Sequence, residues 1–367
     1  MNSVGLSEVF LFSYGESRAF LRELRALVSK VADIISPGDS VAVKVHMGEY
    51  GGSAYLHPPL VRRVCDLIKE AGGKPFVTDT TVLYPGRRFT AGQYLATAAF
   101  NGFTQESMAA PIVIADGESG YDGEWVDIAG RVSDCSLDRV KVGKEILSAD
   151  SMIVLSHPTG HALSGFGASI KNVAMGCVTK ESKAAQHRVG RGLIDLSRCT
   201  GCGKCVEACP FMALSLIEDK IAREDEKCMN CNDCLYLCPE GVFSLPPRAQ
   251  EKFQVYLAHA AAGVLSRFPS KVAFINFVQD VAPMCDCAVP SGLPVVPDIG
   301  ILASVDVVAV DKACLDLIAQ SKPLGKFAEV SSADVLGEIN GTESLIQIRT
   351  AQELGLGNME YQLNEIS

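Results

Sequence analysis

Two stretches in the middle of the chain, CTGCGKCVEACP at residues 199–210 and CMNCNDCLYLCP at residues 228–239, repeat one cysteine spacing. Each has three cysteines separated by two residues, a fourth after three more residues, and a proline directly behind the fourth. The chain has 14 cysteines, and most of them fall in these two stretches. In a reducing compartment, this density indicates a metal centre rather than disulfide bonds.

The spacing resembles that of bacterial-type ferredoxins with two [4Fe–4S] clusters, in which the fourth cysteine of each run binds the other cluster. The resemblance implies a first cluster on Cys199, Cys202, Cys205 and Cys238, and a second on Cys228, Cys231, Cys234 and Cys209. A pair of zinc knuckles also uses Cys-x-x-Cys and is the alternative, which the two full runs with Cys-Pro endings disfavour.

On both sides of this segment, short β-rich apolar runs alternate with helical patterns. The runs that predict strands include residues 40–46, 74–79, 111–115, 151–156, 271–278 and 305–310. Such alternation indicates an α/β fold with a mostly parallel sheet and helices on both faces. We therefore predict an α/β body made of residues 1–191 and 246–367, with a two-cluster ferredoxin-like α+β domain inserted at residues 192–245.

Composition narrows the class of protein. The chain has 367 residues, of which 48% are hydrophobic and 21% charged, which is enough for a buried core. Its net charge of −10 disfavours nucleic acid as a partner. The sequence contains no apolar run near the roughly 18 residues of a membrane helix and no export signal at its start. We expect a soluble, cytoplasmic protein that does not bind a membrane.

Polar residues follow several of the predicted strands. Lys44 and His46 lie at the end of one strand, Asp79 ends the next, and His157 and His161 follow a third. Sheets of this class place their sites at the carboxyl ends of strands, so these residues are candidate ligands or catalytic groups. Any one of these histidines alone is more often a satisfied core or surface residue.

Over nearly its whole length the chain resembles the domain of unknown function 362 family, whose members in anaerobes carry a two-cluster ferredoxin insert. The matching features are Lys44-Val45-His46-x-Gly48-Glu49, Pro75-Phe76-Val77-Thr78-Asp79-Thr80, Leu83-Tyr84-x-Gly86-x-Arg88, Ser156-His157-x-x-Gly160-His161, Gly165-Phe166-Gly167-x-x-Ile170-Lys171-Asn172, Cys285-Asp286-Cys287 and Pro297-Asp298-Ile299-Gly300-Ile301-Leu302-Ala303-Ser304. Because that family has no agreed reaction, the resemblance implies a fold more than an activity.

A more distant resemblance is to the nickel-dependent lactate racemases. The positions with matching spacing are His161, Gly165-Phe166, Lys171, Gly176 and His187. The resemblance implies His161 as the catalytic acid or base, Lys171 as the carrier of a nickel pincer nucleotide, and His187 as a nickel ligand. The chain departs from that pattern at Gly167-Ala168-Ser169, where the racemases have Ser-Gly-Gly.

A second departure affects the racemases' substrate loop. The chain has Asp79-Thr80-Thr81-Val82 where they have Asp-x-Thr-Arg, so the guanidinium that would clamp a carboxylate is missing unless Arg87 or Arg88 supplies it. We therefore predict His161, Lys171 and Asp79 as catalytic candidates. The cofactor-binding candidates are Lys44, His46, His157, Lys171 and His187.

Cys285 and Cys287 form a Cys-x-Cys pair in a proline-rich loop. Two such thiolates can chelate one metal ion, with a histidine or Cys177 completing the shell, and the pair can equally serve as a redox site. A plain structural turn is the alternative.

Three functions are compatible with these patterns. The first is an iron–sulfur oxidoreductase of unknown substrate, in which the clusters exchange electrons with a redox partner protein and with a site for a small molecule in the α/β body. The second is a non-catalytic electron carrier or docking subunit. The third is a racemase- or epimerase-like enzyme with a nickel or nucleotide cofactor and structural clusters. Neither a strand followed by G-x-G-x-x-G nor a P-loop motif is present, and no oligomeric state is predicted.

Overall fold

The computed structural model describes residues 6–14, 21–130, 132 and 135–366. Within these residues, eight strands form one central sheet. The strands are β1 (Ser7–Ser13), β2 (Ser40–Val45), β3 (Lys74–Asp79), β4 (Ile112–Ile114), β5 (Ser151–Ser156), β6 (Val272–Val278), β7 (Gly300–Ser304) and β8 (Tyr361–Glu365). Their order across the sheet is β8-β1-β7-β6-β5-β2-β3-β4.

The sheet is mostly parallel, as the sequence predicts. Strands β6, β5, β2, β3 and β4 run parallel to their neighbours, and β8 runs parallel to β1. Only β7 runs against its two neighbours, β1 and β6. Every residue of β5 is buried, which is typical of a parallel strand that is covered by helices on both faces.

Helices cover both faces of this sheet. The helices of the described residues are α1 (Leu21–Val31), α2 (Pro58–Glu70), α3 (Ala91–Phe100), α4 (Gln105–Met108), α5 (Lys144–Leu147), α6 (Ser169–Gly176), α7 (Lys180–His187), α8 (Lys204–Glu207), α9 (Asp233–Leu237), α10 (Ala249–Leu265), α11 (Val307–Gln320), α12 (Val335–Asn340) and α13 (Ile346–Glu353), of which α8 and α9 belong to the cysteine-rich segment instead. Leu27 of α1 and Val64 of α2 share an apolar core with Val43 and Ile153, whereas Val173 of α6 and Leu257 of α10 belong to a second core. The predicted α/β class is therefore confirmed.

One predicted strand is wrong. Residues 305–310 read as a strand because they are rich in valine, but Val307 begins helix α11. The side chain of Asp306 accepts hydrogen bonds from the backbone N–H groups of Val308 and Ala309, which is the usual cap of a helix start. Because the first turn of the helix is buried all round, its residues show no helical period that could distinguish it from a strand.

The cysteine-rich segment has small strands and short helices of its own. Leu193–Ile194 pairs with Phe243–Ser244 near the ends of the segment, and Leu214–Ile217 pairs with Lys220–Arg223 as a hairpin. Helices α8 and α9 each begin beside one of the cysteine runs. A small apolar core of Leu214, Ile221, Val242 and Phe243 lies between them.

In the part of the chain that the structure describes, no helix has both the length and the apolar character required to cross a bilayer.

Candidate functional site

The cysteines of the two runs surround two small gaps. One gap is lined by Cys199, Cys202, Cys205 and Cys238, which we call the first cysteine group. The other is lined by Cys209, Cys228, Cys231 and Cys234, which we call the second cysteine group. Each group therefore combines three cysteines of one run with the last cysteine of the other, which is the crossing that the spacing implies.

The surroundings of these sulfurs suit an iron–sulfur cluster. Burial raises the pKa of Cys231 to about 12 and that of Cys234 to about 11, so these thiols need a bound cation in order to ionise. Backbone N–H groups already point at two of the sulfurs, from Ala213 to Cys209 Sγ at 3.3 Å and from Val242 to Cys238 Sγ at 3.5 Å. Such hydrogen bonds to ligand sulfurs help to set the reduction potential of a cluster.

Tight backbone packing also shapes the first gap. Gly201 has a φ of +72°, and a Cβ atom there would lie 2.6 Å from the carbonyl oxygen of Asp219.

Across the described ranges, no three His, Cys, Asp or Glu side chains converge on a position for a single metal ion. A four-iron cluster does not require ligands that converge on one point, because each of its four thiolates binds a separate iron.

A larger cavity of about 400 Å³ opens at the carboxyl ends of β2, β3 and β5, and we call it the strand-end cavity. In the sheet, β2 lies between β3 and β5, so the chain order changes direction at this point. Sheets of this kind bind ligands at such a switch point. The candidate residues that line the cavity are Lys44, His46, Asp79, His157, His161, Lys171, His187, Cys285 and Cys287. The structure thus brings every candidate outside the two cysteine groups into one site.

Lys44 and Asp79 form a buried ion pair at one end of the cavity. The Nζ atom of Lys44 lies 3.0 Å from Oδ1 of Asp79 and donates to Oδ1 of Asn172 at 2.5 Å. The hydroxyl of Tyr94 donates to the second oxygen of Asp79, and His46 Nδ1 lies 3.7 Å from it. Burial alone would raise the pKa of Asp79, but Lys44 and His46 hold it well below its ordinary value. Asp79 is therefore an ionised partner of Lys44.

His157 holds the loop that carries the Cys-x-Cys pair. Its Nδ1 atom lies 2.8 Å from Oδ2 of Asp286, and its Nε2 atom lies 2.7 Å from the carbonyl oxygen of Gln279. Burial alone would lower the pKa of His157, but Asp286 and the Gln279 carbonyl raise it to about 9. Because both ring nitrogens donate to oxygen atoms, His157 contributes by positioning Asp286 between the two cysteines rather than by offering a lone pair.

His161 and His187 pack against opposite parts of one phenylalanine. Their ring centroids lie 5.7 Å and 5.1 Å from that of Phe253. The backbone N–H of Leu163 donates to Nδ1 of His161 at 3.3 Å, which assigns the ring proton of the neutral form to Nε2. Burial and Lys171 lower the pKa of His161 well below its ordinary value and that of His187 to about 4. Both rings are therefore neutral at pH 7.

Cys285, Cys287 and Lys171 form a tight group on the other wall. The Sγ atom of Cys287 donates to Sγ of Cys285 at 2.9 Å, and Lys171 Nζ donates to the same sulfur at 3.2 Å. The hydrogen bond from Cys287 and the positive charge of Lys171 hold the pKa of Cys285 well below its ordinary value, although burial opposes them. Burial alone would lower the pKa of Lys171, but the two cysteines raise it. Cys177, a possible third ligand, is buried and is not among the residues that line the cavity.

One hydrogen bond joins the gap of the second cysteine group to the chain just beyond His187, a residue of the strand-end cavity. Asn232, next to Cys231, donates from Nδ2 to the carbonyl oxygen of Gly190 at 2.9 Å. Gly190 ends the short 3-10 helix that follows His187, and His187 Nε2 lies 3.3 Å from the hydroxyl of Tyr84. Tyr84 lines the strand-end cavity together with Cys287, and burial raises its pKa, as do the sulfurs of Cys287 and Cys231 to a smaller extent.

Sequence reasoning missed several residues of the site. Tyr94 and Asn172 hold Asp79 and Lys44 through hydrogen bonds, and Arg88 is buried in a 2.8 Å ion pair with Glu49. Lys183 donates to Thr80 Oγ1 at 2.7 Å and to two backbone carbonyls. Arg88 and Asn172 stand within the family motifs, which was a signal of importance but not of role. Tyr94 gave no signal, because a tyrosine on a helix looks like an ordinary core residue.

Comparisons with curated proteins give one match over about half of the chain and several matches over short segments. A thylakoid-associated protein of Synechocystis is 27% identical over 190 residues, which is 51% of this chain and 54% of that protein. One subunit of a Na⁺-translocating ferredoxin:NAD⁺ oxidoreductase complex of Acetobacterium woodii is 43% identical over 54 residues, 14% of this chain and 16% of that subunit. A ferredoxin of Pyrobaculum islandicum is 44% identical over 55 residues, 15% of this chain and 51% of the ferredoxin. The short matches indicate an iron–sulfur segment with an electron-transfer role.

Solved structures show only loose similarity. A Thermotoga maritima protein aligns with a TM-score of 0.38 at 8% identity, over 70% of this chain and 50% of that protein. The apoprotein of the lactate racemase from Thermoanaerobacterium thermosaccharolyticum aligns with a TM-score of 0.32 at 10% identity, over 75% of this chain and 51% of that one. The chain thus spans about half the length of these structures and of the Synechocystis protein.

A family model describes the α/β body together with the segment it contains. The domain of unknown function DUF362 matches residues 41–316, which include the strand-end cavity, both cysteine groups and the Cys285–Cys287 loop. This match extends over most of the chain, and the chain therefore belongs to the DUF362 family.

Proposed function

We propose that this protein is an iron–sulfur oxidoreductase with two [4Fe–4S] clusters that passes electrons between an external redox protein and a small molecule in the strand-end cavity. The first cysteine group holds one cluster and the second group holds the other. When bound, the clusters supply electrons one at a time at low potential. The residues of the cavity bind and orient the small molecule and manage its protons.

The observation that carries this proposal is the link between the gap of the second cysteine group and the chain beside the cavity. Asn232, which lines that gap, bonds to Gly190, three residues beyond His187, and His187 Nε2 lies 3.3 Å from the hydroxyl of the cavity residue Tyr84. A carrier that only docked onto other proteins would have no need to place one cluster against a cavity lined by ionisable residues. This arrangement favours the oxidoreductase over the docking subunit.

The two clusters then have different tasks. Cys202 of the first group is exposed, so electrons enter there from a partner protein. The gap of the second group is bonded through Asn232 to the chain beside the cavity, so electrons leave there. Because both groups belong to one small segment with a shared apolar core, the electron passes between them without leaving the protein.

The charge of the cavity indicates the class of small molecule. Its lining includes the cations Lys44, Arg88, Lys171 and Lys183 and the carboxylates Glu49, Asp79 and Asp286. His157 is also charged at neutral pH because its pKa is raised to about 9. With the Cys285 thiolate counted among the negative groups, the lining carries one more positive group than negative ones, which favours an anionic substrate over a cationic one.

A nickel-type nucleotide cofactor on Lys171 is the second candidate, since His161, Lys171 and His187 line one cavity. The neighbouring sulfur of Cys285 raises the pKa of Lys171 and so keeps it as an ammonium group, which opposes covalent attachment through this nitrogen. Nickel analysis of the purified protein separates the two candidates.

Anaerobic purification followed by iron, sulfide and nickel analysis tests the proposal. We expect about eight iron atoms per chain and, after reduction with dithionite, the electron paramagnetic resonance signal of interacting clusters. Cys205→Ala and Cys231→Ala should each lose one cluster, whereas Cys65→Ala, on the buried face of α2, should keep both. Zinc in place of iron would contradict the proposal, as would one cluster per chain.

A further inference from the structure

We propose that Cys285 and Cys287 form a redox-active thiol pair that takes electrons from the second cluster and reduces small anionic disulfides bound in the strand-end cavity. This inference rests on the proposed function for its supply of electrons. It assigns a chemical role to a Cys-x-Cys motif that neither cysteine group includes.

The distance between the two sulfurs carries the inference. Sγ of Cys285 and Sγ of Cys287 lie 2.9 Å apart, and a disulfide bond needs about 2.05 Å. The pair can therefore close with a shift of about one ångström. Cys285 lines the cavity and is partly exposed, while Cys287 is exposed, so a bound molecule can reach both.

The loop around the pair is held firmly. Asp286 between the two cysteines is bound to His157, and the backbone N–H of Ala288 donates to the carbonyl oxygen of Cys285 at 2.8 Å. On the neighbouring turn, Gly160 donates to the carbonyl oxygen of Ala282 at 2.8 Å. These bonds fix the backbone on both sides of the pair, so oxidation changes side-chain torsions without rebuilding the loop.

The two cysteines have different surroundings and hence different roles. Cys285 receives hydrogen bonds from Lys171 and from Cys287, which stabilise its thiolate, and the thiolate is the nucleophile in thiol–disulfide exchange. Cys287 keeps its proton while it donates to Cys285. Cys285 is therefore the attacking residue and Cys287 the resolving one.

The chemistry balances in three steps. Cys285 attacks one sulfur of the substrate disulfide, which forms a mixed disulfide and releases one substrate thiolate. Cys287 loses its proton and attacks Sγ of Cys285, which forms the Cys285–Cys287 disulfide and releases the second thiolate. Two electrons, one from each reduced cluster, and one proton would then restore the Cys285 thiolate and the Cys287 thiol, and the one-electron carrier protein would reduce the clusters again. The two released thiolates take up two protons from solvent. The net change is one disulfide, two electrons and two protons to two thiols.

A single metal ion on the pair is the competing interpretation. In the described part of the chain, no third His, Cys, Asp or Glu side chain joins these two to form a shell, and besides Cys287 the side chain that bonds to the sulfur of Cys285 is the cation Lys171. An ammonium group in contact with a thiolate occupies the place where a metal would bind. The arrangement favours sulfur chemistry over metal binding.

The test uses two small disulfides of opposite charge, dianionic 3,3′-dithiodipropionate and dicationic cystamine. Anaerobic holoprotein is reduced with dithionite, freed of excess reductant and mixed with each disulfide while cluster absorbance and released thiol are followed. We expect cluster reoxidation with the dianion, about tenfold faster than with the dication, and one disulfide cleaved for two electrons. Cys285→Ser and Cys287→Ser should abolish it, whereas Cys65→Ala should not change it.

Trapping of the intermediate gives a readout that does not depend on turnover. In Cys287→Ser, mass spectrometry should find a 3-mercaptopropionate adduct on Cys285, and in Cys285→Ser no adduct at residue 287. Clusters that stay reduced with both disulfides would overturn the inference and leave the proposed function intact. A zinc ion that protects both cysteines from alkylation would also overturn it.

A failure of the proposed function can be distinguished from a failure of the thiol-pair inference. If the purified protein holds no clusters, the electron-transfer proposal fails while the thiol pair can still be oxidised directly by 3,3′-dithiodipropionate. Peptide mapping would then find the Cys285–Cys287 disulfide if the thiol chemistry is right, and two free thiols if it is wrong.

Discussion

The Nζ atom of Lys171 donates a hydrogen bond to the Sγ atom of Cys285 at 3.2 Å, across 114 residues of chain. Lys171 belongs to α6, and Cys285 belongs to the loop that follows β6. The sequence predicts that Lys171 carries a cofactor and that Cys285 binds a metal. In the structure, the two side chains are bonded to each other instead. The lysine stabilises a thiolate, and the thiolate keeps the lysine charged.

Removal of this lysine should make Cys285 less acidic. In Lys171→Met the thiolate loses a positive charge, so the pKa of Cys285 should rise and its alkylation by iodoacetamide at pH 7 should slow about tenfold, since one pKa unit changes the thiolate fraction tenfold. Lys171→Arg should keep most of the rate. The pH profile of alkylation, read by mass spectrometry of the 285–287 peptide, checks this. An unchanged profile in Lys171→Met would show that Cys287 alone lowers the pKa.

The His157–Asp286 pair should make stability depend on pH. The pKa of His157 is raised from 6.5 to about 9, so its contribution is complete below pH 6.5 and is lost as pH rises through 9. His157→Gln should therefore lower the free energy of unfolding by about 2–3 kcal/mol at pH 6 and by much less at pH 10. Anaerobic urea unfolding at both pH values measures the difference.

Asp286→Asn is the matched variant for this pair, because it removes the other partner. It should flatten the same pH dependence, and the double variant should add little to either single variant. Equal losses at pH 6 and pH 10 in His157→Gln would indicate a packing role instead of a charged pair.

Close approach of α6 to the buried ion pair should make Gly176 intolerant of a side chain. A Cβ atom at Gly176 would press against the end of Lys44 and lie 2.9 Å from Oδ1 of Asp79. Gly176→Ala should therefore displace Lys44 and destabilise the protein by about 1–3 kcal/mol. Gly86→Ala serves as the control, because a Cβ atom there has open space around it. Equal unfolding midpoints for the two variants would contradict the expected displacement.

The sequence predicts the neighbourhood of the site better than its contacts. Lys44, Asp79 and His161 meet because carboxyl ends of parallel strands share one edge, and that follows from strand order alone. The Lys171–Cys285 contact depends on where a loop 114 residues away returns to the sheet, which no local pattern encodes. The valines of residues 305–310 mislead for a related reason: burial on all sides removes the periodicity that identifies a helix.

The roles of the histidines also depend on tertiary contacts that the local sequence does not encode. His157 and His161 stand four residues apart behind the same strand, so their position makes both of them candidate site residues. In the fold, one is a charged anchor bound to Asp286 and the other is a neutral ring stacked on Phe253. Their partners come from the loop after β6 and from α10, more than 90 residues further along the chain. Residue type and spacing identify both as candidates, and only tertiary contacts separate them.

The two cysteine groups should differ in their effect on chemistry at the cavity. Asn232 ties the second group to the wall that carries His187, whereas Cys202 of the first group is exposed. After reduction with dithionite and removal of its excess, Cys231→Ala should cleave only the one 3,3′-dithiodipropionate per chain that the reduced thiol pair cleaves by itself, and its remaining cluster should stay reduced. In Cys202→Ala the remaining second cluster should be reoxidised. With a reduced ferredoxin as the donor, both variants should fail. Electron paramagnetic resonance first verifies that each variant keeps its other cluster, and full activity in Cys231→Ala would mean that electrons reach the cavity from the first group.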